Sequence, residues 1–208
     1  DIYWRKQKPI NNYGKYFLCV SYFPHIVQGP IAKYSRLSDE LFKEHPFNFT
    51  QVCFGIQLML YGYFKKLVIA DRLALFTDQV FGNISKYEGF LVIIALVFSS
   101  FQIYMDFSAC MDIVQGMSQI FGIKLDNNFN HPFFSKNATE FWRRWHITLG
   151  AWYKDYIYLP IVTSGWLAKI TAKVKETKGK ELAKKVNSAI PPAVVWLLTG
   201  LWHGTGWN

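Results

Sequence analysis

Two tryptophan–histidine steps are the residues best suited to do chemistry: Phe141-Trp142-Arg143-Arg144-Trp145-His146 and Gly200-Leu201-Trp202-His203-Gly204. From Ser188 to Asn208 the chain carries no Asp, Glu, Lys or Arg, so His203 lies in a stretch apolar and long enough for a bilayer. A titratable side chain is costly there and by default signals function. A neutral imidazole, with an ordinary pKa of roughly 6.5, is suited to taking a proton from an acceptor hydroxyl. The plainer alternative is an interior histidine satisfied by one hydrogen bond. Gly200 and Gly204, with Gly206 beyond, would let a helix backbone or a substrate come close to the ring. His146 has charged neighbours, Arg143, Arg144, Lys154 and Asp155, and residue types alone leave it open between a chemical and a structural role.

The other histidines read differently. His25, set among prolines, reads as a packing or gating residue, while His45 and His131 each precede a proline and read as loop residues. There is no Gly-x-Ser-x-Gly elbow, no phosphate-binding glycine loop, no His-Glu-x-x-His and no paired-cysteine metal spacing. Cys19, Cys53 and Cys110 stand in apolar surroundings and read as packing residues. What remains is a membrane-embedded base working without metal or covalent nucleophile.

The elements that must position such a base are apolar. Of the 208 residues 51% are hydrophobic and 18% aromatic, high for a soluble domain. Three further segments lack charge, Tyr16 to Ala32, His45 to Phe64 and Gly89 to Met105, each near the roughly 17–25 residues that cross a hydrocarbon core. The expectation is an all-α, polytopic membrane bundle. The mean hydropathy of only +0.07 averages these spans with polar connections such as Lys169 to Lys185. The net charge of +9 is concentrated in that connection, which fits cytoplasmic loops better than a nucleic-acid surface.

Along the chain, Pro24, Gly29 and Pro30 predict that the first apolar segment is a broken or re-entrant helix held inside the bundle. Leu37 to Lys43 is a short amphipathic stretch. A span begins near Phe49 and ends at Lys65-Lys66, whose long side chains would snorkel to the interface. Leu67 to Phe76, around Asp71 and Arg72, reads as an interfacial helix. Gly89 to Met105 is the cleanest span, and Asp106 either ends it at the interface or makes a polar interior contact. Asp126 to Pro132 is a loop by composition. Asn137 as N-cap with Glu140 at N3 opens a helix that Pro160 stops at Leu159, on which His146 would share a face with Trp142, Leu149, Gly150 and Tyr153. Thr163 to Asn187 is a charged connection in which Leu167 to Val186 would form a basic amphipathic helix or simply a solvated lysine face. A chain that opens on Asp1 without Met and stops at Asn208 reads as one partial domain, 1–208, of a longer protein.

These blocks together carry a resemblance. Tyr22-Phe23-Pro24-His25-Ile26-Val27-Gln28-Gly29-Pro30-Ile31, Ala70-Asp71-Arg72-Leu73-Ala74, Phe101-Gln102-Ile103-Tyr104-Met105-Asp106-Phe107-Ser108, Glu140 to His146 and Gly200 to Gly204 follow one another in the order found in membrane-bound O-acyltransferases. The chain resembles the bacterial branch that acts on alginate and teichoic acids. The resemblance implies His203 as the central catalytic histidine and His146 as the second, with Trp145, Trp202, Asp106 and Asp155 as substrate-binding candidates. It implies a thioester acyl donor, acetyl-CoA or an acyl carrier protein, as substrate rather than a tightly bound cofactor. The acceptor would be a hydroxyl of an exported polysaccharide, or teichoic acid in the D-alanyl alternative. Envelope acyl-transfer proteins would be partners, and the bacterial cytoplasmic membrane the location, crossed several times. Lys154 stands where relatives carry Arg. Ser108-Ala109-Cys110-Met111-Asp112 departs from the Ser-Gly-aromatic-Ser-Asp string of alginate-type relatives, which weighs against alginate itself as acceptor. A reading from another class is an export subunit gated by the Pro24–Pro30 segment, with the histidines relaying protons.

The lysine density from Lys169 to Lys185 is the strongest orientation signal and places this stretch on the cytoplasmic side. Single cysteines at Lys175 and Lys180, in a cysteine-free background of the whole protein, are expected to resist an impermeant thiol reagent until cells are opened. Labelling in intact cells reverses the orientation.

Overall fold

The computed structural model describes residues 2, 7, 10–26 and 28–204, so Val27 and Gly206, named above, lie outside the described residues. Every regular element among the described residues is helical. The chain divides into two compact units, Asp1–Trp145 and His146–Asn208.

The first unit opens with α1 (Tyr13–Val20), α2 (Phe23–Ile26) and α3 (Tyr34–Phe42). Asn12 caps α1 by accepting from the Lys15 amide at 3.0 Å. The apolar segment from Tyr16 is broken, as its prolines require: α1 stops at Ser21 and α2 is a single turn around Pro24. Cys19 and Tyr22 bury themselves with Leu37 of α3 and with Val114, Ile123 and Leu125, the core beneath this corner. Glu40 of α3 accepts from the Lys124 amide at 3.1 Å, and Arg36 pairs with Asp126. His45 is a loop residue; its ring lies against Gly122, which has φ 80° and where a Cβ would stand 2.7 Å from the His45 Nδ1.

Two long helices dominate this unit. Asn48 caps α4 (Phe49–Phe64), which runs through a π-helical turn (Lys65–Ala70) into α5 (Asp71–Gly82). The result is one continuous rod, Phe49–Gly82, packed along α6 (Phe90–Ile120). Both are long and apolar enough to cross a membrane, and they are the two among the described residues that are. At 1.5 Å per residue α6 is about 46 Å long, against a hydrocarbon core of roughly 30 Å. α4 and α6 touch backbone to backbone: a Cβ on Gly116 would fall 2.5 Å from the Gly55 carbonyl, and one on Gly62 would fall 2.8 Å from the Ala109 carbonyl.

The charged residues depart from expectation. Lys65 and Lys66 do not end the helix, which runs on through them to Gly82, and both are paired within the fold. Lys65 is 7% exposed, its Nζ donates to Ser108 Oγ at 2.9 Å, and it pairs with Asp112 at 2.6 Å. Lys66 bridges Asp106 at 2.7 Å and Asp71 at 2.9 Å. Carboxylates on the facing helix and one turn onward supply what the interface would have supplied. Asp71 and Arg72 lie on the same continuous rod, Phe49–Gly82. Asp106 does not end its helix either, which continues to Ile120, and it makes a polar contact with Lys66 across the helix pair.

The segment after α6 is tied back to it. Gln115 donates to the Asp126 carbonyl and to Asn127 Oδ1, each at 2.9 Å, and Asn128 Nδ2 lies 3.0 Å from Met111 Sδ. His131, at φ 46°, precedes a 3₁₀ turn, Pro132–Phe134. Asn137 caps α7 (Ala138–Arg144), accepting from the Glu140 amide at 2.8 Å; Glu140 in turn accepts from the Lys136 amide and from Arg144. The helix ends at Arg144, not at Leu159. The Arg144 carbonyl, which a continuing helix would offer to Thr148, instead accepts from the Asn130 amide at 2.9 Å. His146 then adopts φ 45°, ψ 53°, so it does not share a helical face with Trp142.

The second unit runs through α8 (Ile147–Tyr153), a π-helical turn (Lys154–Tyr158), α9 (Leu159–Val162), α10 (Gly165–Lys178) and α11 (Lys180–His203). Pro160 falls in the first turn of α9, where a missing N–H is tolerated, so it does not stop the helix. The charged connection is not one amphipathic helix but two, α10 and the start of α11, folded at Gly179 with φ 90°. Leu167 and Ala183 are buried within the unit, and Thr171 Oγ1 reaches Asn187 Oδ1 at 3.4 Å. The charge-free stretch from Ser188 is helical as far as His203, with Pro191 and Pro192 inside it.

Gly116→Val should wedge α4 from α6 and cost about 1–3 kcal/mol of stability, as overpacking of a close seam does. Gly82→Ala, where no atom lies within 4 Å of the added Cβ, should be near neutral. Thermal unfolding of the detergent-solubilised whole protein compares the two; equal melting temperatures would refute the seam.

Candidate active site

His146 lies at the N-cap of α8 and takes a left-handed backbone, uncommon for a residue other than glycine. Such a conformation persists only where the surroundings hold it. Its imidazole is 9% exposed and its ring centroid lies 5.9 Å from that of Trp202. Trp202 stands in the last turn of α11 with its ring 4.8 Å from that of His203 and nearly perpendicular to it, at 83°. Two histidines far apart in sequence are thus gathered on one indole. His203 is exposed where His146 is buried, and Trp202 is 57% exposed. Among the described residues no atom lies within 4 Å of where a Cβ would stand on Gly200 or Gly204.

The electrostatics separate the two rings. Burial penalises the charged form of His146 and the nearby His203 adds to that, lowering its pKa to about 4. His146 is therefore neutral around pH 7, able to donate from one ring nitrogen and accept at the other. An exposed imidazole beside a buried neutral one can receive a proton at the first while the second holds a polar group in place.

The remaining candidates divide. Asp155 is half-buried on the π-helical turn that follows α8. Trp145 belongs to an aromatic cluster of the first unit: its ring stacks on Phe141 at 5.6 Å and meets Phe129 at 5.1 Å and Tyr104 at 6.0 Å. Asp106 is engaged by Lys66. Sequence reasoning missed the Lys65, Lys66, Asp71, Asp106 and Asp112 network. Its signal was present, since carboxylates and lysines at membrane depth occur in pairs, but Lys65 and Lys66 sit where a span of ordinary length would end.

Against this geometry, the sequence profile of the MBOAT, membrane-bound O-acyltransferase family, matches residues 8–174, a region that contains His146 and stops before His203. The chain is 34% identical over 202 residues to the peptidoglycan O-acetyltransferase of Helicobacter pylori, covering 96% of this chain and 35% of that protein. It is 30% identical over 208 residues to the probable alginate O-acetylase AlgI of Azotobacter vinelandii, covering 100% of this chain and 38% of that protein. It is 29% identical over 212 residues to the teichoic acid D-alanyltransferase of Bacillus subtilis, covering 96% of this chain and 48% of that protein. The chain thus spans a third to a half of the length of these relatives. With most of its residues inside the matched region and two long apolar helices among them, the chain belongs to the membrane-bound O-acyltransferase family.

Proposed function

We propose that this chain is the histidine-bearing part of a multi-pass O-acyltransferase of the bacterial cytoplasmic membrane, moving an acetyl group from a thioester to hydroxyls of an exported or cell-surface polysaccharide. The observation that carries the reading is the gathering of His146 and His203 on Trp202 in a chain of this family.

In this reading His203 takes the proton of the acceptor hydroxyl as its oxygen attacks the thioester carbonyl. The tetrahedral intermediate collapses, the C–S bond breaks, and the leaving sulfur receives the proton back from the imidazolium. Products are the ester and a free thiol, and His203 returns neutral. His146, held neutral by burial, orients the acceptor or the donor through a hydrogen bond. Acetyl-CoA and an acyl carrier protein both fit as donor, and envelope acyl-transfer proteins fit as partners. D-alanyl transfer to teichoic acid is the second reading, supported by the relatives that carry that name; the acetyl-transferring relatives stand at 30–34% identity against 29% and 22%. Mass spectrometry of surface polymers from cells with and without the gene separates them, since the lost ester identifies both acyl group and acceptor.

His203→Ala in the whole protein should lower acyl transfer by about 10²–10⁴-fold, the contribution of a general base, without loss of membrane insertion. Near-normal acylation by a well-expressed variant would remove His203 from the mechanism.

His146→Ala should impair transfer less. Because the His146 pKa is lowered to about 4, this ring stays neutral as pH falls and charges only on passing through that value. An acid limb of the rate profile above about pH 5 therefore belongs to another group, and it should keep its position in His146→Gln. A limb that vanishes in that variant would assign the titration to His146 and overturn its neutral role.

A further inference from the structure

The hairpin of α10 and the first turns of α11 concentrates charge without pairing it. Residues 165–187 hold seven lysines against two glutamates, more than half of the net charge of the whole chain. Lys169, Lys173, Lys175, Lys178, Lys180, Lys184 and Lys185 are all exposed, and none of them forms an ion pair among the described residues. The apolar side chains of the hairpin are turned to one another: Leu167 and Ala183 are buried and Ile170, Val174 and Val186 are half-buried. What faces outward is mostly cationic, with Glu176 and Glu181 among the lysines and two large apolar groups, Leu182 at 38% exposed and Trp166. Trp166 is 57% exposed and shares a helix face with Lys169 and Lys173, at offsets of three and seven.

We propose that this face docks on the anionic phosphate headgroups of the membrane leaflet that the hairpin adjoins. Three features favour lipid over a folded acidic partner. Every cation in the hairpin is lysine and none is arginine, which suits a diffuse layer of phosphates better than bidentate recognition of fixed carboxylates. An exposed indole beside lysines is the composition that settles at the boundary of headgroup and acyl chain. The third is continuity: the lysines end at Lys185 and the chain is charge-free from Ser188, so basic and apolar surfaces adjoin on one helix. Clusters of four to eight lysines in that position are drawn to anionic lipid through a field that salt screens within about a Debye length. The inference does not depend on the proposed reaction.

The test uses the whole protein in nanodiscs, with Cys19, Cys53 and Cys110 replaced and one fluorophore on Ala172→Cys, an exposed site between Lys169 and Lys173. Quenching by a headgroup-labelled nitroxide lipid should rise roughly threefold or more when phosphatidylglycerol replaces part of the phosphatidylcholine, and fall back in high salt. Changing Lys169, Lys173, Lys184 and Lys185 together to Gln should abolish the increment; since the salt titration needs no variant, misfolding of the quadruple change leaves the question decidable. Equal quenching in neutral and anionic discs overturns the proposal. So does protection of the dye by an acidic carrier protein in neutral discs without any response to anionic lipid.

Discussion

The first unit depends on charges being matched across a seam between two apolar helices. Lys65, Lys66, Asp71, Asp106 and Asp112 meet part-way along the paired rods. Lys65 is the buried member, and removing the Asp112 carboxylate would strand its charge. The pairs therefore fix the register of α4, the π-helical turn and α5 against α6: a slide by one turn would carry the lysines past their carboxylates. The glycine contacts impose the same register by shape, since Gly55 and Gly116 coincide only in this alignment. Shape and charge agree, and a helix pair selected by two independent criteria has few competing packings.

The second constraint is where helices are not allowed to continue. The Arg144 carbonyl accepts from the Asn130 amide where a continuing helix would offer it to Thr148, and the chain breaks at Trp145 and His146. Trp145 is held in place by rings from α6 and from the segment after it. A histidine in the middle of a long helix would point wherever the helical repeat sends it. Set at a break, its direction is determined by local contacts instead, which is how a side chain is oriented for a task rather than for packing.

Legibility followed the range of the interaction concerned. The cap by Asn137 and the break around Pro24 and Pro30 are local, decided by the chemistry of neighbouring residues, and both were readable. The end of α7 was not, because the group that terminates it, the Asn130 amide, lies 14 residues away and leaves no local stop signal; Pro160, the local signal that was available, proved compatible with helix. Lys65 and Lys66 follow an apolar run of span length, and what no local signal shows is their pairing, since the partners on α6 lie about 40 residues further on. At the site, the charge-free setting picked out His203, and the tryptophan–histidine repeat picked out both steps. That Trp202 joins them, while Trp145 serves a different cluster, depends on tertiary contact.

Lysine shows why composition alone cannot assign a role. Lys65 and Lys66 lie among apolar residues and are held by three carboxylates; the seven lysines of the α10–α11 hairpin have two glutamates nearby and pair with neither. The residue type is identical and the net charge counts them alike. What separates them is whether an opposite charge is already present within the fold. Where it is, the cation is part of the packing and cannot be offered to anything else. Where it is not, hydration stabilises each ammonium singly, and the summed field extends beyond the protein to whatever anionic surface lies within screening distance.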